Sequence, residues 1–123
     1  ELIITADTIV YVDGEVLGKP QNKIDAARML KMISGKCHDV ITGVCLLTSN
    51  KRISFSVKTK VSFAQITDDE ISFYIENYKP YDKAGAYGIQ EWIGYIGVDS
   101  IQGSYFNVMG LPVQRLYSEL KNI

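Results

Sequence analysis

The spacing of hydrophobic positions changes several times along this chain, and each change marks an element. Leu2–Ala6 is a short apolar run that predicts a buried strand, and β-branched residues from Thr8 to Val12 give a second strand piece. Asp13-Gly14 is a hairpin-turn dipeptide, so Glu15–Gly18 reads as the return. Asn22 is an N-cap with Asp25 at N3, opening a helix over Lys23–Ile33 with Ile24, Ala27, Leu30 and Ile33 on one side; Gly35 stops it. Val40–Leu47 is apolar without alternation, which predicts a strand buried on both faces. Ile53, Phe55, Val57, Val61 and Phe63 alternate with Ser54, Ser56, Lys58, Lys60 and Ser62, the mark of a half-buried antiparallel strand. Thr67-Asp68-Asp69-Glu70 is a capping box before a helix carrying Ile71, Tyr74, Ile75 and Tyr78 inward, and Pro80 ends it. Lys83–Gln102 is rich in glycine and aromatics, with strand-like pieces near Ile93–Val98. Pro112 reads as the first residue of a last helix with Val113, Leu116, Tyr117 and Leu120 on its apolar face. Together these predict an α/β fold, a mixed sheet with three helices.

Composition narrows the class. A length of 123 residues suits one domain, and 46% hydrophobic against 22% charged residues is a globular balance that argues against disorder. A net charge of -1 gives no electrostatic reason to expect nucleic acid as a partner, while leaving room for a small anion held by a few local cations. No apolar run approaches the roughly 18 residues of a membrane span, and no signal-peptide pattern opens the sequence, so a cytoplasmic location is expected. Cys37 and Cys45 fall eight positions apart in one strand, about 26 Å at full extension, which is beyond disulfide reach. Cys45 reads as a buried free thiol. Cys37-His38 lacks the further ligands that zinc needs.

Three places carry candidate chemistry. Asp7 follows the apolar run Leu2–Ala6, and a carboxylate at the end of a buried strand is costly without partners. It suits a metal ligand or general base, while position alone favours a turn-forming or capping aspartate. Lys19 projects from the Gly18-Lys19-Pro20 turn as a phosphate-binding cation or a solvated loop lysine. In Asp82-Lys83-Ala84-Gly85-Ala86-Tyr87-Gly88-Ile89-Gln90 the small residues let backbone approach a ligand, Lys83 supplies charge, and Gln90 offers a donor and an acceptor to a base edge. A tight helix-to-strand loop explains the same residues. The aromatics read as core, and Asp68-Asp69-Glu70 as a helix start.

Five segments in order resemble the Maf family: Ala6-Asp7-Thr8; Gly18-Lys19-Pro20; Ser34 to Val44; Asp82 to Gln90; and Asn107-Val108-Met109-Gly110-Leu111-Pro112. The resemblance implies a Maf/ITPase-like twisted sheet flanked by helices, and a hydrolase that cuts nucleoside triphosphates between the α- and β-phosphates with a divalent cation, Mg2+ or Mn2+. It implies Asp7 as the catalytic acid-base and metal residue, and Lys19 and Lys83 as phosphate neutralisers. Thr8 and Gln90 match the branch that acts on dTTP and UTP; the 7-methyl-GTP branch carries glutamine and glutamate there. Family members resemble homodimers. The family opens with a Ser-x-Ser-Pro-Arg-Arg loop after a first strand, and this sequence starts past it, so it is expected to be an N-terminally incomplete domain. Glu91-Trp92 replaces the small residues usual after Gln90, a change at the pocket's rim. The competing expectation is a non-catalytic interaction protein, since the family is linked to septum formation.

Overall fold

The computed structural model describes residues 1–123. Its sheet has five strands in the order β2-β1-β3-β4-β5, comprising β1 (Ile3–Val12), β2 (Glu15–Leu17), β3 (Cys37–Leu47), β4 (Arg52–Phe63) and β5 (Val98–Gln102). The α/β class is as read from sequence, and every strand pairing within this chain is antiparallel. Five helices flank the sheet instead of three: α1 (Lys23–Ile33), α2 (Asp68–Tyr78), α3 (Trp92–Gly97), α4 (Tyr105–Val108) and α5 (Val113–Leu120). None is long and apolar enough to cross a membrane.

Local chemistry explains the boundaries. Asp13 and Gly14 both take positive φ, 51° and 78°, so the β1–β2 hairpin turns with the twist its strands need. Asn22 caps α1 by accepting from Asp25 N at 2.9 Å. The α2 capping box is complete: Thr67 Oγ1 accepts from Glu70 N at 3.1 Å, and Glu70 Oε1 from Thr67 N at 2.8 Å.

The main core lies between one face of the sheet and α1, α2 and the 82–97 region, with Val10, Val12, Val40, Val61 and Phe63 meeting Leu30, Ile33, Ile71 and Tyr74. A small satellite sets Leu116 of α5 on Val44 and Leu46. Because helices cover one face, β3 does not lose both faces to the core: His38, Val40, Thr42, Val44 and Leu46 are buried, while Ile41 and Cys45 are half-buried and Gly43 and Leu47 exposed. Cys45 is therefore not a fully buried thiol. Leu2, Ile3 and Ile4 stand exposed although their run reads as a buried strand.

Several helical expectations are corrected. In α1 the buried set is Ala26, Met29, Leu30 and Ile33, and Ile24 is 83% exposed. A strict three-residue step from Ile24 drifts off the 3.6-residue period. In α5 only Leu116 is buried; Val113 and Tyr117 are exposed, and the helix begins at Val113 with Pro112 as its flank. Ile93–Gly97 is helix, not strand. Its packing demands it: a Cβ on Gly94 would lie 1.9 Å from the Ile89 carbonyl oxygen, and one on Gly97 2.8 Å from Phe63 Cε2.

The α1 correction is testable. Ile33→Ala is expected to cost about 2–5 kcal/mol in urea unfolding, and Ile24→Ala less than about 0.5 kcal/mol. Equal losses would contradict this packing.

Candidate functional site

Two loops meet beside β1 and are tied by one backbone bond. The Gly18 carbonyl, in the turn after β2, accepts from Gly85 N at 3.1 Å. Gly85 takes φ 71°, and a Cβ there would stand 2.7 Å from Val10 Cγ2. Glycine thus serves twice, by conformation and by close approach. The following Ala86 also has positive φ, 65°, which is uncommon without glycine.

A buried hydroxyl fixes the far end of the same loop. Tyr74 OH donates to Glu91 Oε1 at 2.5 Å and accepts from Gly88 N at 3.1 Å. Burial first, and then the bond to Glu91, pushes this phenol far above its usual range, so it remains a neutral donor. Glu91 also faces Lys83 Nζ at 3.9 Å, and Asp82 Oδ1 lies 3.2 Å from the same nitrogen. The hydrogen bond from Lys83 holds the Asp82 carboxyl below the usual carboxylate range. Glu91, expected from sequence at the pocket's rim, does not line the cleft itself; it clamps the loop from behind through Tyr74 and Lys83. Trp92 packs edge-on against Phe73 with ring centroids 4.9 Å apart.

The result is a cleft of about 240 Å³ lined by Asp7 and Thr8 of β1, Lys19, Lys83, Gln90, and Met109 and Gly110 beyond α4. All five residues singled out from sequence, Asp7, Thr8, Lys19, Lys83 and Gln90, line this one cleft. Their placement differs in one respect. Asp7 lies inside a continuous β1, paired opposite Gly43, and not at a strand end. Strand alternation puts Thr8 on the helix-covered face with Val10, and Asp7 on the other. Asp7 therefore stands at the rim, where a Cβ on Gly43 would meet nothing within 4 Å. Its Oδ1 accepts from Thr8 N at 3.1 Å.

Sequence reasoning assigned no role to the polar groups beneath the cleft. Tyr87 OH contacts His38 Nε2 at 2.6 Å, with Phe63 packed edge-on against Tyr87 at 5.0 Å. Thr8 Oγ1 contacts Thr42 Oγ1 at 2.9 Å. Asn107 Nδ2 donates to the Val40 and Val57 carbonyls at 3.2 and 3.0 Å and to Thr59 Oγ1 at 3.0 Å, stitching α4 to β3 and β4. The available signal was polar residues among the otherwise apolar positions of strand runs: His38 and Thr42 in β3, Thr59 in β4.

Burial lowers His38 from 6.5 to about 4, and its Nδ1 has no partner. The folded pKa is depressed, so the unfolded chain takes up this proton first. The contribution is complete above about pH 6.5 and is lost as pH falls toward 4. Between pH 7.5 and 4.5 the native protein is expected to lose roughly 2–3 kcal/mol more unfolding free energy than His38→Gln. Parallel pH curves for the two proteins would contradict a neutral buried imidazole.

Comparison with known proteins bears on this cleft. A Phocaeicola vulgatus protein named dTTP/UTP pyrophosphatase is 67% identical over 123 residues, covering 100% of this chain and 64% of that protein. One from Parabacteroides distasonis with the same name is 60% identical over 122 residues, 99% of this chain and 63% of its own length. One from Christiangramia forsetii, also so named, is 48% identical over 123 residues, 100% of this chain and 63% of its own length. The chain thus spans less than two-thirds of the length of these curated relatives. The family described as Maf-like protein matches residues 1–123, and the chain belongs to that family.

Proposed function

We propose that this chain carries much of the active site of a nucleoside triphosphate pyrophosphatase acting on dTTP and UTP, releasing the monophosphate and pyrophosphate. The observation that carries the reading is the gathering of two carboxylates, two lysines and the neutral polar side chains of Thr8 and Gln90 around one cleft, with Asp7 at its rim. The names of the relatives point the same way.

In this reading water attacks the α-phosphorus, the bond to the bridging oxygen breaks, and pyrophosphate leaves. Lys19 and Lys83 face the phosphates as fixed positive charge, the main lever in phosphoryl transfer. Asp82 and Glu91 hold Lys83 in place until the substrate's anionic oxygens arrive. Asp7, at the solvent-facing rim, takes a proton from the attacking water. Thr8 and Gln90 face the base.

The donors suit a hard divalent cation. Asp7 and Asp82 are the carboxylates of the cleft, and no three His, Cys, Asp or Glu side chains gather into a protein-only cage. Mg2+ and Mn2+ accept one or two carboxylates with water and substrate phosphates completing the shell. Asp7 would hold the ion, which when bound neutralises phosphate charge and acidifies coordinated water.

Pyrophosphate release from dTTP, UTP, CTP, GTP and ATP with Mg2+ or Mn2+, measured on the full-length protein, is expected to favour dTTP and UTP. Asp7→Asn should lower kcat by about 10²–10⁴ while nucleotide still binds; turnover indifferent to it would remove Asp7 from catalysis and favour an interaction role. Gln90→Glu should shift the preference away from dTTP and UTP, and an unmoved preference would sink the base-reading role of Gln90.

A further inference from the structure

We infer that Thr42 fixes the hydroxyl of Thr8 as an acceptor toward the cleft, and that this polarity selects a pyrimidine with an N3–H, as in uracil and thymine, over cytosine. The inference rests on the reading of the cleft as a pyrimidine nucleotide site.

The proton directions follow from which groups can donate. Thr42 is fully buried, and its hydroxyl has two polar neighbours: Thr8 Oγ1 at 2.9 Å and the Asn107 backbone carbonyl at 3.3 Å. A carbonyl accepts only, so the second contact is a hydrogen bond only when Thr42 donates. A hydroxyl has one proton. Thr42 must then accept from Thr8, and the order runs from Thr8 OH to Thr42 OH to the Asn107 carbonyl. This is the one arrangement that makes both contacts hydrogen bonds.

The anchor of the relay is held from several sides. The Asn107 amide is bound to Val40, Val57 and Thr59, and Thr59 Oγ1 in turn donates to the Ser104 carbonyl at 3.0 Å. Gly110 N donates to the same Asn107 carbonyl oxygen at 3.0 Å. The final acceptor therefore cannot turn away, and reversing the relay would leave Thr42 without its bond to that carbonyl, a costly exchange in a dry site.

Thr8, half-buried on the cleft wall, is left with lone pairs facing the ligand. Uracil and thymine offer a ring N3–H to such an oxygen. Cytosine offers an N3 lone pair, which meets the oxygen acceptor to acceptor. Gln90 cannot make this distinction alone, because its amide can present either a donor or an acceptor. Both pyrimidine classes have similar size and stacking, so a side chain of fixed polarity is what separates them. Thr42 is thus a positioning residue for specificity and touches no substrate.

The test is calorimetric titration of the full-length protein, with Mg2+, by the non-hydrolysable α,β-imido analogues of UTP and CTP. Wild type is expected to prefer the uridine analogue. Thr42→Val keeps the shape and frees the Thr8 proton to donate, so the uridine-to-cytidine affinity ratio should fall about tenfold or more; Thr42→Ser retains the relay and should keep the ratio within about threefold. A folded Thr42→Val with the wild-type ratio, or a wild type that binds both analogues equally, overturns the inference. If Thr42→Val does not fold, Thr42→Ala, which also removes the Thr42 hydroxyl, decides by the same ratio: a wild-type ratio overturns the inference and a lost one upholds it. Absence of pyrophosphate release from every nucleotide by wild type would overturn the catalytic reading, while the titration still decides the polarity.

Discussion

The seat of Gly85 on Val10 is the constraint on which the cleft depends. At that point the chain has no side chain, turns through positive φ, lies against a core valine and donates its N–H to Gly18. One residue thereby fixes the height of the Lys83 loop over the sheet and the distance between the two lysine-bearing turns. A Cβ there would push the loop off Val10 and break the bond that holds the Lys19 turn. The Tyr74–Glu91–Gly88 clamp fixes the other end, so backbone between Gly85 and Gly88 is held at both ends by buried groups.

Beneath this frame the sheet is polar where an ordinary core would be apolar. His38, Thr42 and Thr59 occupy inward strand positions; Asn107 reaches down from α4 to bind Thr42, Thr59 and the strand carbonyls, and His38 contacts Tyr87 OH. Buried polar groups are costly unless satisfied, and these are bonded at most of their atoms, with His38 Nδ1 and Asn107 Oδ1 as the exceptions. Such networks fix orientation more than they add stability. The cleft lies directly above them, which is where fixed hydroxyl and ring orientations matter.

What the sequence made legible was the local chemistry. The capping box at Thr67–Glu70, the Asn22 cap and the Asp13-Gly14 hairpin depend on neighbours a few residues apart, and all are in place. Helix α3 was not legible, because Trp92-Ile93-Gly94-Tyr95-Ile96-Gly97 has weak helical propensity and is shaped by contact with Ile89 and Phe63. The one-sided burial of β3 depends on where helices land, which an apolar run does not encode. The five candidate site residues were recognisable by type and motif. The supporting roles of His38, Thr42, Tyr74 and Asn107 were not, although three of them fall in family-like segments and Tyr74 on an inward helix face, since each role is defined by a partner far away in sequence. Asp7 was legible as an acid, but its place inside β1 opposite Gly43 depends on strand register.

The central claim is that the turn carrying Lys19 and the loop carrying Lys83 form two sides of one triphosphate site beside Asp7, with the base at Thr8 and Gln90. A crystal structure of the full-length protein with the α,β-imido analogue of UTP and Mg2+ tests it most directly. The account predicts phosphate oxygens within hydrogen-bond distance of both Lys19 and Lys83, and the uracil ring against Thr8 and Gln90. A nucleotide bound elsewhere, or in this cleft with its phosphates away from both lysines, would contradict it.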